Sequence, residues 1–165
     1  EARYRVLHQA VIALDRHHVP ADRAYLQLLC RRHGGSHQQM FDLALNRAAQ
    51  AANGDEAPML IIEAWIERWL WTHRFEDDPA SALEHARDGL AETVEAYETS
   101  LGARAHRPSP FTPALRNLAA FYFNLVADHG RARRELALLG PVAFDQPWSA
   151  LGDPNEIRAA ARQSA

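Results

Sequence analysis

The sequence predicts an all-α fold of about seven or eight helices, arranged as antiparallel helical hairpins stacked into a short solenoid. Three observations predict it. Apolar residues recur at helical period along much of the chain, most densely in residues 59–74, MLIIEAWIERWLWTHR. Capping residues, glycines and prolines punctuate that pattern. Most connections between the periodic stretches are brief, which favours antiparallel neighbours.

The first helix runs from about Ala2 to His17, with Tyr4, Leu7, Val11 and Leu14 along its apolar line, and Val19-Pro20 interrupts it. A second, from Ala21 or Asp22 to about His33, turns Tyr25, Leu28 and Leu29 toward a partner. Gly34-Gly35 ends it, since glycine accepts the left-handed cap geometry. Ser36 at N-cap and Gln39 three residues on form a capping box for a third helix, which carries Met40, Leu43, Ala44 and Ala48 inward and reaches about Asn53-Gly54.

Pro58 suits the first turn of the 59–74 helix, where a missing amide proton is tolerated. Met59, Ile62, Trp65, Ile66, Trp69 and His73 make its broad apolar face, with Ile61 beside them. An indole brings large buried area and a donor that needs a partner. Trp65 and Trp69 are therefore expected between neighbouring helices, with Trp71 facing another way.

Asp78 as N-cap and Pro79 at the first position open the next helical stretch, which ends near Ser100-Leu101-Gly102. Gly89 weakens its middle, leaving a bent helix or two short ones, the second with Asp88 available as cap. Residues 103–111 read as loop because Arg107-Pro108-Ser109-Pro110 resists regular structure. Thr112-Pro113 starts a helix to about His129-Gly130, with Leu115, Leu118, Ala119, Phe123 and Val126 on its core face, and Arg131–Leu139 forms a shorter partner. Asp153 with Glu156 three residues later begins a terminal helix that frays near Ala165.

A chain of 165 residues, 47% apolar and 24% charged, fits one helical domain over residues 1–165. Because it starts at Glu1, a trimmed origin or a place within a longer protein stays open. All 18 basic residues are arginines, so Schiff-base and phosphate-binding lysines are excluded, and the net charge of −3 gives no general footprint for a polyanion. The single cysteine, Cys30, excludes an internal disulfide and a cysteine-rich zinc site; it reads as a buried inert thiol. No stretch reads as a secretory leader or a membrane span, which makes cytoplasmic residence the default expectation.

In the late hairpin, Ala120, Phe123, Ala132 and Leu136 have the small, aromatic, small, large-apolar spacing that resembles a tetratricopeptide repeat, although Arg116 stands where that pattern often has a large apolar residue. Together with His33-Gly34-Gly35-Ser36, Ile62-Glu63-Ala64-Trp65, residues 96–102 (AYETSLG) and residues 147–154 (PWSALGDP), the chain resembles an uncharacterised family of bacterial tetratricopeptide-like proteins over about Leu28–Arg162. The resemblance implies a stacked-hairpin architecture and no particular chemistry.

A stacked-hairpin surface suits a non-enzymatic protein-interaction or intramolecular regulatory module with a protein or peptide partner, and self-association is compatible with it. Tyr25, His33, His37, Trp65, Trp69, Arg74 and Tyr122 are its candidate contacts, each aromatic among them also having a core role to play. A second patch, Arg104, Arg107, Arg131, Arg133 and Arg134, has the chemistry for acidic peptide, phosphate or nucleic acid, which Glu135 and the net negative charge disfavour. The enzymatic alternative is a small acid–base or metal-assisted hydrolase using Glu63, Glu67 and a nearby histidine. The two glutamates lie one helical turn apart, and exposed pairing with arginines is the plainer expectation for them. The nine histidines show no zinc-ligand spacing and the glycines no phosphate loop, so no cofactor is expected.

Overall fold

The computed structural model describes residues 2–142 and 144–164. Nine α-helices form among the described residues: α1 (Ala2–Leu14), α2 (Val19–Leu29), α3 (His37–Ala49), α4 (Met59–Phe75), α5 (Pro79–Asp88), α6 (Leu90–Thr99), α7 (Thr112–Leu125), α8 (His129–Leu139) and α9 (Pro154–Gln163). Short 3-10 turns occupy Arg31–His33 and Trp148–Ala150. The expected fraying at Ala165 lies outside the described residues.

Side-chain caps set many of the starts. The backbone amides of Gln39, Ser81 and Arg131 donate to Ser36 Oγ, Asp78 Oδ1 and Asp128 Oδ1, and those of Asn155 and Glu156 both donate to Asp153 Oδ1. Other boundaries depart from expectation. His18 Nδ1 accepts from the Ala21 amide, so Val19-Pro20 opens α2, and the first helix already ends at Leu14. Pro58 precedes the first turn of α4, and Thr112 is the first residue of α7 while its hydroxyl accepts from the Ser109 amide. Ala127 takes φ 64°, which turns the chain there; Asp128 caps α8, and Gly130 falls inside that helix.

The core is organised around α4. Every residue from Glu56 to Ile66 is buried, as are Trp69 and Thr72. Helix α4 packs against α2, α3, α5, α6 and α7, whereas strict nearest-neighbour stacking would give it two neighbours. The coarser architecture is thus an all-α bundle with α4 as its hub. Alanines let the partners approach: Ala44 on α3, Ala82 and Ala86 on α5, Ala96 on α6 and Ala119 and Ala120 on α7 are all buried. Trp69 meets Phe121 edge-on with centroids 5.4 Å apart, and Phe121 meets Trp148 at 5.3 Å.

Helices α5 and α6 meet at Gly89, whose backbone is right-handed helical and whose expected capping partner Asp88 makes no cap. Packing explains the glycine: a β-carbon there would lie 2.3 Å from the Trp65 ring. Arg116, the departure from the repeat pattern, is also explained by packing. It donates to Glu135 Oε2 at 2.6 Å, while Tyr97 Oη donates to Glu135 Oε1 at 2.5 Å, so α6, α7 and α8 share one buried carboxylate. Asp22 does the same for α1, α2 and α3 through His8 and Arg47.

Candidate functional site

Two helices each contribute a pair of polar residues one turn apart. On α2 these are Arg23 and Gln27; on α4 they are Glu63 and Glu67. Arg23 donates through Nε to Glu63 Oε2 at 2.6 Å and through Nη2 to Glu63 Oε1 at 3.2 Å. Gln27 Nε2 bridges the carboxylates, 2.9 Å from Glu63 Oε1 and 3.0 Å from Glu67 Oε1. Arg32 closes the ladder, donating through Nη2 to Glu67 Oε1 at 3.0 Å and to Gln27 Oε1.

These side chains form one wall of a cleft of about 650 Å³. Ala114, Asn117 and Leu118 of α7 form another wall with Phe144, Gln146 and Pro147, and Ile66 and Leu70 supply apolar surface between them. Asn117 fixes the 144–148 segment to α7. Its Nδ2 donates to the Gln146 carbonyl and its Oδ1 accepts from Trp148 Nε1, both at 2.8 Å. From Glu63 to Arg74 the cleft follows α4 for roughly 16 Å at the helical rise, the length of about five extended residues.

The expected exposed pairing of the glutamates is corrected in one respect. Both do pair with arginines, but Glu63 is only 4% exposed and Glu67 is partly buried. Helix α2 covers this side of α4, and charges removed from water require such partners. Burial, chiefly, holds the Glu67 carboxyl above its ordinary range, opposed by its hydrogen bond from Gln27 and by Arg32. A carboxyl with a raised folded value favours the fold at pH below its unfolded value, and that contribution is lost as pH rises through the folded value. Glu67→Gln is therefore expected to remove a decline in stability just above the ordinary glutamate range, measured as urea midpoints at stepped pH. The same decline in wild type and variant would contradict the assignment.

The candidate contacts fall into separate places. Arg74 is exposed at the end of the cleft, where Nη2 donates to the Ser149 carbonyl at 3.3 Å. His37 lines a smaller adjoining pocket that shares Arg32, Glu67, Leu70, Arg74 and Gln146 with the cleft. Tyr25 lies away from it, stacked on His8 at 4.6 Å, and His33 is exposed in the 3-10 turn. Trp69 and Tyr122 are core residues with almost no accessible surface, which removes them from any contact surface. Trp65 is mostly buried, with Nε1 donating to Glu92 Oε2 at 3.1 Å.

Within the second arginine patch the charge is partly neutralised. Arg131 pairs with Asp128 and Glu98, and Arg133 Nη1 donates to the Ser164 carbonyl. The loop carrying Arg104 and Arg107 is fastened to Glu56 instead: Ser109 Oγ donates to it at 2.6 Å, Thr112 Oγ1 also donates to it, and His106 Nε2 lies 3.2 Å away.

Sequence reasoning missed Arg23, Gln27, Arg32 and Asn117. The i, i+4 spacing of Arg23 and Gln27 matches that of Glu63 and Glu67, which was the available signal. Cys30 is buried, and desolvation, followed by the nearby Glu67, pushes its thiol well above the ordinary range, as befits an inert thiol. Among the described residues, no group of three or more histidine, cysteine, aspartate or glutamate side chains is placed to hold a metal ion. Among them too, no helix is long and apolar enough to cross a membrane. No family model matches the chain, and no curated protein or solved structure does.

Proposed function

We propose that the chain is a non-enzymatic binding module whose cleft between α2, α4, α7 and the 144–147 segment receives a short extended segment of a polypeptide. One observation carries this reading: the cleft combines a fixed polar wall with an apolar strip over the length of about five extended residues. A peptide backbone offers amides and carbonyls to the ladder, and its alternate side chains have Ile66, Leu70 and Leu118 to pack against. The polar wall is already paired, so binding does not require it to be reorganised.

The finer architecture belongs to the same proposal. Ala120, Phe123, Ala132 and Leu136 are all buried in the α7–α8 hairpin, which supports a tetratricopeptide-like reading of that hairpin. The bacterial tetratricopeptide-like affiliation is proposed on that basis, with hairpin stacking limited to α7–α8, since α4 packs against five helices and not two. In the same reading the nucleic-acid role is set aside, because Arg131 is already paired with Asp128 and Glu98 and the net charge of the chain is −3.

The test is selection of short peptides from a displayed random library on the wild-type protein, followed by binding to Ala114→Trp, which fills the cleft from α7. Selected peptides are expected to lose about tenfold in affinity or more, as blocking a preformed site demands. Peptides that bind both proteins equally would overturn the reading.

The hydrolase remains a second reading because Glu67 and His37 line one pocket. Burial pushes His37 below its ordinary range, helped by Arg68 and Arg31, and pushes Glu67 up. Against acid–base work by the glutamate pair, both Glu63 oxygens already accept hydrogen bonds. Ester hydrolysis abolished by both Glu67→Gln and His37→Gln would favour the hydrolase over the binding module.

A further inference from the structure

The small pocket beside the cleft has a composition that the polypeptide reading does not use. It offers about 100 Å³, enough for a phosphate-sized tetrahedral oxyanion. Three arginines line it, Arg31, Arg32 and Arg74.

Each guanidinium carries five donors, and few of them are used. Arg31 gives one hydrogen bond to Glu76 Oε1 at 3.0 Å and stacks on Trp71, its Cζ 4.8 Å from the ring centroid. Arg32 uses Nη2 for Glu67 and Gln27. Arg74, among the described residues, has no carboxylate partner and reaches only the Ser149 carbonyl. On the same pocket stands His37, whose Nδ1 is buried with no hydrogen-bond partner among the described residues.

Two carboxylates oppose these cations. Glu76 is exposed and is held by both Arg31 and Trp71 Nε1. Glu67 is partly buried, and desolvation pushes its carboxyl toward the neutral form. Burial, followed by the nearby charges of Arg68 and Arg31, holds the His37 ring below its ordinary range.

We propose that this pocket is an oxyanion subsite that takes one phosphate-sized tetrahedral anion, held by the guanidinium groups of Arg74, Arg31 and Arg32 with His37 at its inner edge. Planar guanidinium forks match oxyanion geometry and remain charged throughout the accessible pH range. The subsite goes beyond the cleft reading, because it names an anion held by Arg31 and His37, which lie outside the cleft, together with Arg32 and Arg74, which the two share.

The test is calorimetric titration of the whole chain with inorganic phosphate, and separately with phosphoserine, while the Trp71 indole and His37 ring resonances are followed by NMR. Saturable binding that moves both resonances is expected. Arg74→Gln and Arg31→Gln should each weaken it about tenfold or more, the effect of removing a charge-assisted donor. Both arginines are exposed, so unchanged thermal unfolding of the variants separates lost binding from lost fold. Tighter binding of phosphoserine identifies a monoester on a larger ligand, and equal or weaker binding identifies a free anion; either result supports the subsite. No saturable binding of either probe, or binding unaltered in both variants, would overturn it. Arg31 lines the pocket and not the cleft, so Arg31→Gln separates loss of the anion from loss of peptide binding.

Discussion

Alanine at Trp69 is expected to lower stability by about 3 to 5 kcal/mol, the range for emptying a packed tryptophan site. Trp69 is 2% exposed, meets Phe121 edge-on and stacks on His73 at 4.9 Å. Removing the indole leaves a void among α4 and α7 that neighbouring rings cannot fill without leaving their own rotamers. Denaturant unfolding reads the effect as a lower midpoint at unchanged slope. A loss below about 1 kcal/mol would mean that the site collapses freely, contrary to the packing described.

Gly89→Ala is expected to act with a sign opposite to its helix propensity. In an exposed helix interior the change stabilises by about 1 kcal/mol. Here the new methyl meets the Trp65 indole, with its nearest ring atom 2.3 Å from the β-carbon. Trp65 is held on its other sides by Phe41, at 4.8 Å between centroids, and by its hydrogen bond to Glu92. Moving that ring costs more than the propensity returns, and overpacking of this kind typically costs about 1 to 3 kcal/mol and occasionally more. The net expectation is a destabilisation of about 2 kcal/mol. A double-mutant cycle with Trp65→Leu tests the cause, because Gly89→Ala should become neutral or stabilising once the indole is gone. A stabilised single variant would show that the ring moves aside cheaply.

Local signals in the sequence carry the fold well. Ser36, Asp78 and Asp153 cap helices as their spacing to the following residues predicts, and the apolar face of residues 59–74 is buried. Less legible is anything that depends on what surrounds a helix. A one-sided apolar stripe assigns Glu63 to solvent, but α4 has neighbours on several sides and Glu63 faces α2. Its partners Arg23 and Gln27 lie about 40 residues away in the chain, beyond the reach of any helical-period argument. Gly89 reads as a break in a helix because its role is set by an indole on another helix. Arg116 reads as a defect in a repeat because Glu135, across the hairpin, is what it serves. His18 lies outside the usual capping set, which hides the true start of α2.

The same hub explains where the cleft is. Helix α4 is fixed by five neighbours, and its Glu63–Glu67 side completes a polar wall with α2 while its Ile66–Leu70 side meets α7. A rigid element carrying the polar wall keeps donors and acceptors in place before a ligand arrives. Helix α1 is the contrast: Tyr4, Val6, Leu7 and Leu14 are more than half exposed, and its main contact is with α2.

Native-state hydrogen exchange at single amides tests the role of α4 most directly. The amides of Ile62, Ala64, Trp65, Ile66 and Trp69 are expected to exchange only through global unfolding, with an opening free energy equal to that from denaturant unfolding, while amides of α1 exchange through cheaper local opening. Exchange of the α4 amides at the α1 rate, or by an opening well below the global value, would contradict a bundle and a cleft built around α4.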